Sequence, residues 1–379
     1  MRKGYIEGYY GRLLDNNGRK LIIKELSDLA MDFYIYGPKE DPLHRVLWDK
    51  DYSFDQMREF KDLLDFAENK KVNLYFSISP GLSMQTGSEE DKKVLFKKLG
   101  DFINLGFKNF ALFMDDLKFS QLSEVNKSPE LGKEHGLLAN DLKDFLFSKG
   151  ADNLLFCPTV YCKRFAKGDL SSSKYLEGLS NTIDKEIPIF WTGNEVVSKK
   201  IEEKDINHLK EIITNNEIII WDNFYANDYC PGRFYVGELT ERNLSSKSIL
   251  GMGLNITGLP YTDSFILNRL SGKLSSEDLF KKFKVPETFD VLAPFFDNPF
   301  RDNNDEVISN IKELREVQHQ ICVEWKNPIQ IEWSPFLWDF YNHLNLLEKY
   351  TKEEENALED WAKRRYSSPI IEIIKQRKK

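Results

Sequence analysis

Eight short apolar runs recur along the first two thirds of the chain, and each is followed by a stretch with room for a helix. The runs are Gly4-Tyr5-Ile6-Glu7, Phe33-Tyr34-Ile35-Tyr36, Val72 to Ile78, Phe110 to Met114, Leu154 to Cys157, Ile187 to Trp191, Ile218 to Trp221 and a weaker Ile249 to Leu254. Near-continuous apolar runs suit parallel strands buried on both faces, because crossover helices cover both sides of such a sheet. Ser53-Phe54-Asp55-Gln56 has the form of a capping box, and Met57, Phe60, Leu63, Leu64 and Ala67 follow on one helical face. Leu138, Leu142 and Phe145 share another face, whereas Gly100 interrupts the stretch from Asp91 to Leu105. Eight strand-then-helix units predict an α/β fold, a (β/α)8 TIM barrel of the usual ~250 residues, over residues 1–270. A doubly wound open sheet is the alternative, but no G-x-G-x-x-G follows the first run.

The pattern changes after Ser271. Val307, Ile311, Leu314, Val317, Ile321 and Trp325 form one helical stripe. Ser334-Pro335 predicts a helix start with proline in the first turn, and Leu337, Phe340, Tyr341, Leu344 and Leu347 continue its apolar face. Residues 276–379 therefore read as an α-helical C-terminal domain whose aromatic stripes are core. A homodimer through these helices is a further expectation.

Charge and cysteine usage narrow the partners. The chain of 379 residues carries 53 Lys+Arg against 61 Asp+Glu, a net charge of -8. Nucleic acid and anionic membrane surfaces call for a basic face, so neither is expected as a partner. Four cysteines without a C-x2-C pair, and no H-x3-H pair, give neither a disulfide framework nor a structural zinc site. No metal or cofactor is expected. Met1 to Glu7 lacks the apolar stretch of a signal peptide, and no run approaches the ~20 residues that cross a bilayer. The expectation is a soluble, reduced, cytoplasmic protein.

In a (β/α)8 barrel the residues just past each strand line the active site. Here they are Glu7-Gly8-Tyr9-Tyr10, Pro38-Lys39-Glu40-Asp41, Ser79-Pro80-Gly81, Asp115-Asp116, Thr159-Val160-Tyr161, Trp191-Thr192-Gly193, Trp221-Asp222-Asn223 and Asn255. Carboxylates, amides and aromatic faces suit a sugar, which offers both C–H faces and hydroxyls. Asp115-Asp116, which as a pair is more often a helix cap or a solvated turn, ends an apolar run, where burial and paired charge conflict, and such conflict tends to mark function. Two carboxylates in one cavity repel, so one is expected to titrate high enough to act as an acid. Ordinary glycosidases hold their two carboxyls ~5–9.5 Å apart across the sugar, usually from different strands. Adjacent carboxylates fit one side of the sugar, which leaves the nucleophile to the substrate. The carbonyl oxygen of a 2-acetamido group can attack the anomeric carbon while one Asp orients the amide and the other protonates the leaving oxygen.

At these residues the sequence resembles glycoside hydrolase family 84, the O-GlcNAcase and β-N-acetylglucosaminidase family. The matching stretches are Glu7 to Arg12, Tyr36 to Pro42 with His44-Arg45, Ile78 to Gly81, Phe113 to Asp116, Pro158 to Cys162, Trp191-Thr192-Gly193 with Val196-Val197-Ser198, and Trp221-Asp222-Asn223 through Asn227-Asp228-Tyr229. No single stretch is specific, but their order over residues 4 to 260 is. The resemblance implies a barrel that removes terminal β-linked N-acetylglucosamine from a glycan or glycoprotein, retaining, through an oxazoline. It implies that Asp115 orients the acetamido group, that Asp116 is the general acid and then base, and that Tyr161 hydrogen-bonds near the oxazoline. Gly8 and Lys39 would touch sugar hydroxyls. Asn223, Asp228 and Asn255 would bind the acetamido nitrogen side or the other hydroxyls, and Trp221 and Tyr10 would wall the pocket.

Taken singly, these residues have plainer readings. Gly8 suits a tight turn, Lys39 an ion pair with Asp41, Tyr161 rim packing, Trp221 core, and Asn223 and Asp228 turns. The chain departs from the family at Val160, where Glu is usual, at Asn194-Glu195, at Ile256 and at Leu13-Leu14. An endo-acting hyaluronidase-like enzyme, a sugar-binding scaffold without turnover and a metal-dependent hydrolase are the alternatives.

Overall fold

The computed structural model describes residues 1–116, 121–245, 247–300, 310–349, 354–364 and 368–378. Packing divides the chain into two units, Met1–Asn223 with Thr240–Asn255, and Phe224–Leu239 with Ile256–Lys379.

In the first unit the strands are β1 (Arg2–Glu7), β2 (Phe33–Tyr36), β3 (Asn73–Ile78), β4 (Asn109–Phe113), β5 (Asn153–Cys157), β6 (Ile189–Trp191), β7 (Ile201–Glu202), β8 (Ile218–Asp222), β9 (Arg242–Asn243) and β10 (Gly251–Asn255). Eight of them close a parallel barrel in the order β1-β10-β8-β6-β5-β4-β3-β2. Each of the eight apolar runs supplies one barrel strand. β7 and β9 pair separately and are too short to leave a periodic signal. The register runs Gly4 to Phe33, Phe33 to Asn73, Tyr75 to Asn109 and Asn109 to Asn153, so strand ends step round the barrel together. Ile6, Ile35, Tyr75, Phe113, Leu155, Phe190, Ile219 and Trp221 form its buried interior.

Helices α1 (Asn16–Asp28), α2 (Phe54–Asn69), α3 (Glu89–Leu105), α4 (Leu122–Val125), α5 (Pro129–Ser148), α6 (Lys174–Ser180) and α7 (Glu203–Ile212) alternate with the strands. The capping box opens α2 as expected: Ser53 Oγ accepts from Gln56 N at 3.3 Å, and Gln56 Oε1 accepts from Ser53 N at 2.9 Å. α3 runs through Gly100 without a break. A glycine costs a helix interior about 1 kcal/mol, which burial of Leu95, Leu99 and Phe102 on its apolar stripe outweighs.

The second unit holds α8 (Pro260–Ser271), α9 (Ser276–Phe283), α10 (Ala293–Phe296), α11 (Ile311–Val323), α12 (Pro328–Lys349), α13 (Glu355–Arg364) and α14 (Ile370–Arg377). Chain order does not display that residues 224–239 and α8 group with the later helices. Fully buried Trp333 centres the unit, with the rings of Phe289, Phe234 and Trp325 at 4.8, 5.0 and 5.7 Å. The expected stripe lies partly on α11, where Ile311, Leu314 and Ile321 are buried; Val317 is half-buried beside buried Gln318, and Val307 lies outside the described residues. The helix start expected at Ser334-Pro335 is corrected. α12 begins seven residues earlier at Pro328, with Asn327 Oδ1 accepting from Ile329 N at 3.0 Å, and Pro335 sits inside it. Proline suits a first turn because it lacks an N–H, and two prolines in one apolar stretch compete for that position. Among the described residues no helix is long and apolar enough to cross a membrane.

Candidate active site

The strand ends bring together most of the expected site residues. Lys39 follows β2, and its ammonium, 2% exposed, bonds Asp115 Oδ2 and lies 3.3 Å from Asp116 Oδ2. The plainer pairing of Lys39 with Asp41 is not what forms; the Tyr36 hydroxyl donates to Asp41 at 2.7 Å instead. Ser79, after β3, donates to Asp115 Oδ1 at 3.2 Å. Both aspartates therefore converge on one buried cation, on one side of the barrel mouth.

Asp116 is surrounded by donors. Tyr10 Oη donates to its Oδ2 at 2.7 Å, and Tyr161 Oη donates to its Oδ1 at 2.9 Å. Arg45 donates to the Tyr10 hydroxyl and, at 3.1 Å, to the Asp116 backbone carbonyl. Burial pushes the Asp116 carboxyl up, but the Lys39 ammonium, the Tyr10 hydroxyl and Arg45 outweigh it and hold the carboxyl at about 2. The expectation that repulsion within the pair would raise one carboxyl is thus corrected for Asp116, because a cation sits between the two charges. Burial and the Asp116 charge raise both tyrosine hydroxyls well above their ordinary range, so both remain donors.

Arg45 was not among the residues singled out, although it stands in the His44-Arg45 stretch. The signal available was a charged residue in the turn after β2. Its loop is clamped by Lys98 of α3, whose Nζ donates to the carbonyls of Leu43, Trp48 and Lys50 at 2.6, 2.9 and 2.6 Å. An ammonium has three protons, and these three carbonyls use them.

The opposite wall comes from β1, β8 and β10. A Cβ on Gly8 would lie 2.4 Å from the Trp221 ring, so glycine is required there by close approach of the indole. Trp221 packs edge-on against Phe113 and Phe190 at 5.2 and 5.5 Å, and its face lies 6.0 Å from the Lys39 ammonium. Asn223 Oδ1 accepts from Trp221 Nε1 and from Asn255 Nδ2, each at 2.9 Å, and Asn255 Oδ1 accepts from Gly8 N at 3.2 Å. Asn223 and Asn255 thus knit three strand ends together. Asp228 lies in the second unit, where its carboxylate accepts from Tyr229 N at 2.9 Å.

Two further acids end strands but are committed elsewhere. Glu7 is fully buried and accepts from Arg19 Nε and Nη2 at 2.9 Å each and from Tyr34 Oη at 2.7 Å. Asp222 accepts from Arg242 Nε at 2.7 Å and Nη2 at 3.1 Å. Bidentate pairing of this kind fixes a carboxylate and occupies both its oxygens. Among the described residues, no group of three or more His, Cys, Asp or Glu could hold a metal ion.

Protein O-GlcNAcase of Mus musculus is 30% identical over 240 residues, 63% of this chain and 26% of the mouse protein. The Rattus norvegicus protein matches over the same extent with the same identity. The chain spans about a quarter of the length of these curated relatives. The solved structure of a mutant O-GlcNAc hydrolase from Thermobaculum terrenum superposes with a TM-score of 0.78 over 99% of this chain and 93% of that one; at 21% identity this is a likeness of fold. Residues 3–262 match the NAGidase family, beta-N-acetylglucosaminidase, and the chain belongs to that family.

Proposed function

We propose that this chain is a glycoside hydrolase that removes terminal β-linked N-acetylglucosamine from a glycan or glycoprotein, retaining configuration through an oxazoline. The observation that carries the proposal is that Asp115 and Asp116 share one buried ammonium on one side of the mouth. Of the other acids at the strand ends, Glu7 and Asp222 are locked by arginines, Asp41 accepts from the Tyr36 and Tyr52 hydroxyls, and Glu40 accepts from Gly11 N. A carboxylate on the far side of the sugar is what an ordinary protein nucleophile requires. With those acids committed, the substrate's own acetamide oxygen is the nucleophile.

In this reading Asp115 accepts the acetamido N–H, which turns the carbonyl oxygen toward the anomeric carbon and stabilises the positive charge of the forming ring. Asp116 gives its proton to the departing oxygen and then takes one from the water that opens the oxazoline. Without substrate Asp116 is ionised. A bound sugar that exchanges the Tyr10 hydroxyl for the glycosidic oxygen removes one donor and excludes water, and both changes favour the protonated acid. Tyr161 steadies Asp116 next to the oxazoline. Gly8 and Lys39 meet sugar hydroxyls, Tyr10 and Trp221 wall the pocket, and Asn223 and Asn255 bind the sugar's polar edge while tying the wall together. The part for Asp228 rests on its motif alone.

Action in a reducing, cytoplasmic setting belongs to the same proposal, supported by four buried cysteines that are free thiols. A homodimer through the C-terminal helices would use exposed Ile331 and Trp338, seven apart on α12.

The test is hydrolysis of an aryl β-N-acetylglucosaminide by the parent and by Asp115→Asn and Asp116→Asn. Both variants are expected to lose at least ~100-fold in kcat, and Asp116→Asn to lose more on poorer leaving groups. Parent-like turnover in both variants would remove this mechanism.

A further inference from the structure

Asp116 has a φ of 51°, in the left-handed region that a non-glycine residue enters only when its surroundings hold it there. Its neighbours do so from both sides. Arg45 holds the Asp116 carbonyl, while Met114, two residues earlier, is held at both backbone groups. Met114 N donates to the Cys157 carbonyl at 2.8 Å, and the Thr159 hydroxyl donates to the Met114 carbonyl.

Thr159 is held in turn. It is fully buried, and its backbone N–H donates to Tyr175 Oη at 3.1 Å. That oxygen lies 2.8 Å from His135 Nδ1. Burial lowers His135 to about 3, so the ring is neutral, and either of its tautomers makes this bond to the Tyr175 hydroxyl. The chain of bonds thus runs from α5, through α6, to the backbone just before the aspartate pair.

The two helices that carry it cannot easily shift. A Cβ on Gly132 of α5 would lie 2.1 Å from the Tyr175 carbonyl oxygen, and one on Gly178 of α6 would lie 2.0 Å from that of Pro129. Two glycines facing each other's helix let the backbones touch. The start of α6 is also tied down, with Lys174 N donating to the Asn126 carbonyl at 3.0 Å.

We propose that Tyr175 is a positioning residue for the Asp115–Asp116 pair, acting through Thr159 and the Met114 carbonyl; this rests on the N-acetylglucosaminidase reading above. Its hydroxyl fixes where Thr159 sits. Thr159 fixes the turn that aims the acid at the leaving oxygen.

Tyr175→Phe keeps the ring between the helices and removes only the hydroxyl. With 4-nitrophenyl β-N-acetylglucosaminide, kcat is expected to fall about tenfold with KM within about twofold. With a methoxyphenyl aglycone, whose oxygen needs the proton more, the loss is expected to be about tenfold greater again. A purely structural role would lower kcat by one factor for every aglycone, through fewer folded molecules, and that result overturns the proposal, as does no loss at all. Should Tyr175→Phe fail to fold, Thr159→Val is read the same way, with Thr159→Ser, which keeps the hydroxyl, expected to restore the parent's aglycone dependence. A crystal structure of the variant reads the positioning without turnover: an Asp115–Asp116 segment that superposes on the parent's overturns the proposal. Failure of the parent itself to cleave the aryl sugar would instead strike the functional reading and leave the crystallographic result to decide this one.

Discussion

Replacing Lys39 with methionine removes the ammonium that touches both carboxylates while keeping the length of the side chain. At 3.3 Å and an effective dielectric of ~20, the attraction between Lys39 and Asp116 is about 5 kcal/mol, or roughly 3–4 pKa units. A quarter of the Asp116 side chain is exposed, so water screens part of this, and about 2 units is the expected effect. Asp116, held at about 2 in the parent, should then titrate near 4 or above, with repulsion from Asp115 acting in the same direction.

The sign follows from linkage. A carboxyl held below its unfolded value of ~3.9 contributes stability above that pH and loses it as pH falls through about 2; here the contribution is about 2 kcal/mol at neutral pH. Lys39→Met forfeits it and leaves one buried and one half-buried carboxylate without their cation, for a total loss of about 3–5 kcal/mol at pH 7. As pH falls, the variant's native state takes up a proton before the parent's does. The gap should therefore narrow by up to about 1.4 kcal/mol per pH unit once pH drops below the variant's new pKa. Urea unfolding of both proteins at steps from pH 7 to pH 3 measures this directly. A gap that stays constant across that range would refute the role given to Lys39.

Three further outcomes are expected. Tyr161→Phe removes a charge-assisted bond of about 1.5–3 kcal/mol from Asp116, so a carbon-13 carboxyl titration should find that group about one unit higher or more; an unmoved titration would sink the idea. Gly178→Ala drives a methyl carbon to 2.0 Å from the Pro129 carbonyl and should cost about 3 kcal/mol or more in denaturant unfolding, whereas Gly87→Ala, with nothing within 4 Å of its new Cβ, should change stability by less than about 1 kcal/mol. Glu332 on α12 accepts from Tyr261 N at 3.0 Å and Thr262 N at 2.7 Å at the start of α8, and burial raises its carboxyl to about 7. A group raised above its unfolded value contributes stability below that value and loses it as pH climbs through the folded pKa. The helical unit should therefore lose about 1–3 kcal/mol between pH 5 and pH 8 in hydrogen exchange, and Glu332→Gln should flatten that dependence.

The barrel was legible because parallel strands buried on both faces must be apolar throughout, and eight such runs stand in the chain. Helix starts were legible where a cap is local, as at Ser53 and Gln56. They failed where two signals of one kind compete, as at Pro328 and Pro335. That Asp115, Asp116, Tyr161, Lys39 and Tyr10 come together was legible because strand ends in a barrel converge. Arg45 was not singled out, and Ser79 was placed at a strand end without a partner, since neither residue type announces which carboxylate it will meet. Gly8 was found with the wrong plain reason: the indole that excludes a side chain there comes from a residue more than 200 positions away.

The sequence alone determined what depends on neighbours along the chain: the number of barrel strands, the order of their ends, and the placing of two carboxylates side by side at one of them. Tertiary structure decided what depends on charges and shapes brought together from afar. Repulsion within Asp115-Asp116 can be read from adjacency, and it argues for a raised acid. Burial of Lys39 between them, from a different strand end, reverses that for Asp116, because this opposite charge at about 3 Å, with the Tyr10 and Tyr161 hydroxyls and Arg45, outweighs desolvation. The backbone turn of Asp116 is decided in the same way, by Arg45, Thr159 and Tyr175, each from its own loop or helix and none adjacent to it in the chain.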